Sequence, residues 1–392
     1  MTVQEIAKLA NVSAGTVDRV LHNRKGVSQK TKEKIQAIIA EHDYKPNIIA
    51  RQLKNNQTLK IGVLLPSFDI SCGYFYSLFE GMKKCAESLQ PFKVELVLAE
   101  FERKKPLDAV KKGVKLLSDK VDAIITAPVV QEDFYELIPH LYDTPYIFVD
   151  SPLNYADAIS TIVQNPFKSG FCAGRIMKLL KGSGTYASVR MYDNAYNLME
   201  RTRGFMEYFS QDSGSKVLDV VCQDFTEIGL YNFLDDFYNE HQDLKGIFIP
   251  HAEVQLATSF LVNKGLKNKI TLVGFDCVPQ NRQALLDGTI DCLIGQQPEF
   301  QGAEAVRQCY RHFLLHQDIS SEINIPIDVF FKENIQWHVN KKRLLEKEVF
   351  FCFIYFVENY FSFRVKSSSV SWFFLSSWAL IWFSNLLAAL IS

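Results

Sequence analysis

The chain has 392 residues, with 43 Lys and Arg against 44 Asp and Glu, a length that suits a small head, two larger lobes and a remainder. Its formal net charge of −1 hides an asymmetry: residues 1–60 hold eleven Lys and Arg against five Asp and Glu, and the rest holds 32 against 39, so a basic head precedes an acidic body. Eight cysteines without a C-x-x-C pair exclude a zinc or redox motif of that spacing and fit reduced thiols in the cytosol.

Thr2 and Glu5 have capping-box spacing, so a helix begins at once, with Ile6, Ala7 and Ala10 on one face. The chain is expected to turn at Asn11-Val12, after which Ser13 caps a second helix whose Val17, Val20 and Leu21 point back to the first. A third helix is expected after Ser28, with Ile35, Ile38 and Ile39 on one face, ending before Tyr44-Lys45-Pro46. Two short helices around a tight turn make a helix-turn-helix. A compact basic head is also the electrostatic footprint of phosphate binding.

This head resembles the lactose-repressor (LacI) family of bacterial transcription regulators at Thr2, Glu5, Ile6, Ala7, Ala10, Val12, Ser13, Thr16, Val17, Arg19, Val20 and Leu21. It departs from the family pattern at Asn11, where Gly is usual, at Asp18, where Ser is usual, and at His22, where Asn is usual. The resemblance implies that the second helix enters the major groove of an operator, with Ala14, Gly15 and Arg19 nearest the base edges and Arg19 bidentate to a guanine. Ser13, Thr16, Ser28 and Thr31 would contact phosphates, and Thr2, His22, Asn47 and Ala50 complete the implied DNA-binding set. Asp18 would repel phosphate unless paired with Arg19 or Arg24. The run from Tyr44 to Leu53 resembles the family's hinge helix, with Pro46 at its first position. The resemblance makes Leu53 the wedge that kinks the minor groove, and Lys54 to Thr58 reads as a linker.

From Leu59 strands and helices alternate. Strands are expected at 59–66, 94–98, 121–126 and 146–149, with helices at 74–89, 107–117 and 132–141 between them. A second series after Asn165-Pro166 has strands near 186–189, 217–221, 246–249 and 270–275, and a last strand is expected at 323–330. Such alternation indicates parallel βα units with both sheet faces covered. The fold class expected is therefore an all-α helix-turn-helix head plus a two-lobed α/β domain of parallel sheets, followed by a hydrophobic tail.

The lobes resemble periplasmic-type sugar-binding proteins of the ribose-binding kind at Val273-Gly274-Phe275-Asp276, Leu286 to Ile290 and Ile294-Gly295-Gln296-Gln297-Pro298. That resemblance implies that Asp276 and Gln296 hold sugar hydroxyls from strand C-terminal ends facing the crevice. It adds Tyr74, Phe75 and Tyr76 as aromatics stacked on a sugar ring, Asp150 as a hydroxyl acceptor, Arg201 as a contacting guanidinium and His251 where an Asn is typical. Ser151 stands where ribose binders often have Arg, which points to a ligand other than ribose.

Enzymatic motifs are poor. Lys181-Gly182-Ser183-Gly184 lacks the ending of a P-loop and reads as a turn, and neither a G-x-S-x-G elbow nor an H-E-x-x-H pair occurs. No enzyme activity, cofactor or metal is expected. After about residue 345 the composition breaks: nine of the 30 Phe and three of the four Trp lie in the last forty-four positions, and residues 370–391 carry no charge. A run of that length can span a hydrocarbon core, with Arg364 and Lys366 keeping the body cytoplasmic. The abrupt break favours an added segment, such as out-of-frame translation, over a membrane anchor, and with helix one at the start no signal peptide is expected.

The organisation expected is a helix-turn-helix domain over 1–45, a hinge helix and linker over 46–58, and a two-lobed sensor over 59–345. Within the sensor, lobe 1 takes about 59–163 and 296–322 and lobe 2 about 164–295 and 323–345; the tail is 346–392. The function expected is a homodimeric, cytoplasmic transcriptional regulator, a repressor, bound to double-stranded operator DNA and controlled by a sugar or related effector held between the lobes. Its alternatives are a membrane-tethered form of the same regulator and a sugar-binding protein of transport or chemotaxis, which would have no use for the head.

Overall fold

The computed structural model describes residues 3–21, 24–42, 58–68, 73–89, 93–224 and 226–335. Thr2, His22, the hinge residues Asn47, Ala50 and Leu53, and the tail over 346–392 lie outside the described residues.

In the head, helices α1 (Val3–Ala10), α2 (Ala14–Leu21) and α3 (Gln29–Glu41) bury Ile6, Ala7, Ala10, Val17, Val20 and Ile35 in one small core. The turn between α1 and α2 passes through Asn11 at a φ of 57°. Asn is among the few side chains that visit this left-handed region readily, so it serves where a glycine would otherwise be needed. Ser13 Oγ accepts from the backbone of Thr16 at 3.2 Å, and Ser28 Oγ accepts from that of Thr31 at 3.3 Å. Each hydroxyl thereby satisfies an amide that the helix start leaves free. Lys34 Nζ donates to the carbonyl of Ala10 at 2.9 Å, tying α3 to the end of α1. Asp18 lies 3.5 Å from Arg24, one of the two partners the sequence offers it.

The body follows the expected alternation. Strands β1 (Leu59–Pro66), β2 (Val94–Phe101), β3 (Ala123–Thr126), β4 (Tyr146–Val149) and β5 (Ser160–Val163), joined much later by β11 (Glu322–Asn324), form a six-stranded sheet in the order β11-β5-β4-β3-β1-β2. Strands β6 (Thr185–Arg190), β7 (Lys216–Val221), β8 (Leu244–Ile249), β9 (Thr271–Phe275), β10 (Cys292–Gly295) and β12 (Asp328–Phe330) form the other, in the order β12-β10-β9-β8-β6-β7. The registers within β11-β5-β4-β3-β1-β2 and β10-β9-β8-β6-β7 are parallel. Parallel strands need crossover helices, which cover both faces, so β3, β4 and β9 are buried along their whole length. The helices are α4 (Tyr74–Ser88), α5 (Asp108–Ser118) and α6 (Gln131–Leu141) and, in the second lobe, α7 (Pro166–Lys181) and α8 (Tyr196–Phe209). Further on come α9 (Glu227–Glu240), α10 (Thr258–Asn263), α11 (Pro279–Leu286) and α12 (Pro298–Cys309).

One expectation is corrected. The single strand anticipated over 323–330 is two strands in different sheets, β11 and β12. Pro326 lies between them and has no N–H to continue a ladder. The third crossing between lobes therefore runs over 325–327, not between 322 and 323. The other two run over 164–165 and 296–297. Gln164, buried at the first crossing, donates through Nε2 to the carbonyls of Gly295 at 2.9 Å and Pro326 at 2.8 Å, so one side chain ties all three together.

Candidate functional site

The first surface is on the head. With Val17 and Val20 turned into the core, α2 leaves Ala14, Gly15 and Arg19 exposed, and Gly15 and Arg19 are one helical turn apart on the same face. The hydroxyls of Ser13 and Thr16 lie 3.0 Å apart at the start of α2, and those of Ser28 and Thr31 lie 2.8 Å apart at the start of α3. A helix start presents amide donors and a partial positive charge, the arrangement that accepts a phosphate.

The second is a cavity of about 280 Å³ between the lobes. It is lined by residues that follow strand C-terminal ends: Ser67 after β1, Asp150 after β4, His251 after β8, Asp276 after β9 and Gln296 after β10. Asp150 and Asp276 both take positive φ, 63° and 64°, a turn that Asp tolerates better than most side chains. The Asp276 backbone is fixed from two sides. Its amide donates to Ile294 at 2.8 Å, and buried Asn281 donates through Nδ2 to the carbonyls of Phe275, Asp276 and Ala252. Asp276 does not cap α11, whose cap residue is Val278.

The polar groups form two linked networks. In the second lobe Arg201 donates through Nη1 to the carbonyl of Pro250 and through Nη2 to Gln296 Oε1, both at 2.9 Å, while its guanidinium carbon sits 3.9 Å from the centroid of the Phe275 ring. Gln296 Nε2 donates on to Asp276 Oδ2 at 3.2 Å. In the first lobe Gln301 donates to the hydroxyl of Tyr74 at 3.1 Å and accepts from the Asp150 amide at 3.0 Å. The Tyr74 hydroxyl in turn bonds the Asp150 carboxylate, which Ser151 Oγ also meets at 3.0 Å. Gln301 closes the loop by donating to the carbonyl of Gln296 at 2.7 Å.

Burial governs the charges here. It pushes the Asp276 carboxyl up to about 7 against the opposing pull of Arg201 and Gln296, with Asp150 and Glu253 adding to the rise. Burial also raises Asp150, offset only in part by Arg201 and by the bonds from Ser151 and Tyr74. Glu253 goes the other way: the cost of burial is outweighed by its bond to His251 and by the nearby Arg103, so its pKa is lowered.

Seven of the eight residues singled out for this site line the cavity: Tyr74, Phe75, Asp150, Arg201, His251, Asp276 and Gln296. Tyr76 does not; it is half-buried on α4, two positions from Tyr74 and so turned to another face. Sequence reasoning missed Asn197, Gln255 and Arg103, which also line it, and Gln301, which orients its walls. Asn197 stands one helical turn before Arg201 on α8, and that spacing was the available signal. Among the described residues no group of three or more His, Cys, Asp or Glu is arranged to hold a metal ion. Nor is any described helix long and apolar enough to cross a membrane.

Residues 61–314 match the family described as a periplasmic binding protein domain, and residues 2–47 match bacterial regulatory proteins of the lacI family. The HTH-type transcriptional repressor PurR of Salmonella arizonae is 28% identical over 178 residues, which is 45% of this chain and 50% of that protein. The chain thus spans about half the length of the curated relatives it matches. Among solved structures, a chain from Bacteroides fragilis assigned as a LacI transcriptional regulator superposes with a TM-score of 0.68 at 22% identity, over 72% of this chain and 99% of that one. A glucose-galactose binding protein from Geobacillus stearothermophilus gives 0.65 at 20% identity, over 71% and 99%. The lac repressor dimer bound to operator and the anti-inducer ONPF gives 0.60 at 20% identity, over 84% and 97%. At such identities the likeness establishes the fold, a two-lobed α/β domain of parallel sheets.

Proposed function

Because the chain belongs to the periplasmic-binding-protein family over residues 61–314 and carries a lacI-family head over residues 2–47, we propose that it is a sequence-specific transcriptional regulator. In this reading it is a repressor whose DNA affinity is set by a small sugar or related effector held between its lobes. The observation that carries the reading is the division of α2 into a buried Val17 and Val20 face and an exposed face of Ala14, Gly15 and Arg19, on a chain whose next domain is a two-lobed binding cleft.

In this reading α2 lies in the major groove. Ala14 and Gly15 admit only close approach or contact with a thymine methyl, so Arg19 carries most of the direct reading by pairing with a guanine. Ser13, Thr16, Ser28 and Thr31 fix the register on phosphates, with Thr2, His22, Asn47, Ala50 and Leu53 completing the contact set by resemblance. One helix-turn-helix makes few base contacts, so the working unit is a homodimer on a pseudo-palindromic site. The cleft residues Tyr74, Phe75, Asp150, Arg201, His251, Asp276 and Gln296 hold the effector, which acts through its differential affinity for two lobe arrangements. The curated relatives carry the name of transcriptional repressors, which supports a binding rather than a catalytic use of the cleft, and action on DNA places the protein in the cytoplasm.

The test is selection of bound duplexes from a randomised pool by the full chain. A twofold-symmetric consensus with a guanine in each half-site is expected. Arg19→Ala should relax preference at that guanine by roughly 1–3 kcal/mol. A pool that shows no enrichment would sink the reading.

A further inference from the structure

We propose that the effector is an uncharged, hydroxyl-rich molecule one sugar ring in size, and that phosphorylated or carboxylated sugars are refused. This rests on the reading of the cleft as the effector site and narrows its ligand class.

The cavity is unevenly satisfied. Asp276 Oδ1, Asn197 Oδ1 and Gln255 Oε1 have no hydrogen-bond partner, and all three residues line the cavity. Asp276 and Asn197 are only 3% and 6% exposed. Three acceptors are thus waiting for donors, and buried acceptors left unmade are costly. Hydroxyl groups supply such donors without bringing charge.

An anionic ligand meets the opposite balance. The carboxyls of Asp150, Asp276 and Glu253 all line the cavity. The two guanidiniums that line the cavity already answer these carboxyls: Arg201 pulls on Asp150 and Asp276, and Arg103 on Asp150 and Glu253. Arg201 spends both terminal nitrogens on Pro250 and Gln296 and stacks on Phe275, leaving Nε as its unpartnered donor. Arg103 lies 4.9 Å from the Phe75 ring centroid and 5.4 Å from that of Tyr192. The rise of the Asp276 carboxyl to about 7 agrees with a site short of counter-charge, where a hydroxyl donor offsets ionisation and a second anion opposes it. The volume of about 280 Å³ falls just below the ~300–1,000 Å³ of pockets that take drug-sized ligands, which suits one ring and not two.

Titration calorimetry on the full chain tests this with D-glucose, D-galactose, D-xylose, D-ribose and myo-inositol against glucose 6-phosphate, galactose 1-phosphate, ribose 5-phosphate and glucuronate. At least one neutral probe should give saturable heat, with its phosphorylated or carboxylated counterpart about a hundredfold weaker or silent. Asn197→Ala and Asp276→Asn should each weaken the neutral probe by about tenfold or more. An anionic probe that binds more tightly than its neutral parent overturns the proposal, and so does silence from every neutral probe. Retention of the selected duplex by the same preparations keeps the two readings apart. DNA binding with no neutral-sugar heat overturns this inference alone, whereas sugar heat with no DNA binding overturns the regulator reading alone.

Discussion

In the proposed reading Asp276 is where a proton and the effector compete. Its carboxyl, raised by burial to about 7 in the empty cleft, ionises more readily once a ligand hydroxyl donates to Oδ1, so the ligand prefers the deprotonated form. Below about pH 7 binding must first expel a proton, and affinity falls by up to about tenfold per pH unit until the carboxyl of the complex is itself protonated. Above pH 8 the affinity should be flat. Titrations of the neutral probe from pH 5.5 to 8.5 check this, with Asp276→Asn expected to remove the slope; a wild-type affinity constant across that range would show that the ligand does not use this carboxylate. Asp276, Gln296 and Asp150 were legible in the sequence through the resemblance to ribose-type binding proteins, and they meet because strand ends in parallel sheets converge on the crevice. Gln301 was not, since its tasks are to hold Tyr74, the Asp150 amide and the Gln296 carbonyl. A buried glutamine on a helix gives no local signal of three partners so distant in the chain.

Two elements hold their functional side chains through backbone geometry. The α1–α2 turn depends on Asn11 at a φ of 57°. Asn11→Val should cost the head about 1–2 kcal/mol because a β-branched residue is strained there, while Asn11→Gly should be tolerated, as read by thermal unfolding and duplex affinity together. The crossing of α7 and α8 depends on Gly170, where an added Cβ would meet the backbone carbonyl of Arg201. Gly170→Ala should cost roughly 1–3 kcal/mol by overpacking. It should also weaken the effector beyond what Glu207→Ala does, a change at an exposed α8 residue. Equal effector affinity in the two variants would detach the crossing from the site. The βα alternation was readable because strands covered on both faces are apolar runs of four or more residues. β11 and β12 were not. At three residues each, their membership in different sheets is decided by pairing with distant strands and by the break at Pro326.

Across the whole molecule, the lobes touch directly as well as through the three crossings. Tyr196 donates its amide to the carbonyl of Val129 and Asn197 donates Nδ2 to that of Asp150, each at 3.1 Å. Arg103 of the first lobe lies near Tyr192 of the second. In the proposed reading these contacts hold the lobes together over the effector, whereas Gln164, bonded to the carbonyls of Gly295 and Pro326, couples the crossings through which closure would reach the head. The two parts should therefore fail differently. Arg103→Ala removes a cation–π contact worth about 0.5–2 kcal/mol, which raises the cost of closure. The effector dose needed to change DNA affinity should rise several-fold to about thirtyfold, while the change at saturation stays the same, because the ligand's preference for the closed state is intact. Gln164→Ala leaves two buried carbonyls short of a donor and uncouples the crossings. It should shrink the saturated change in DNA affinity itself, and by reciprocity the effect of DNA on effector affinity should shrink by the same factor. Paired titrations of effector with and without the selected duplex measure both quantities, and a Gln164→Ala variant that shifts only the midpoint would show that closure reaches the DNA by another route.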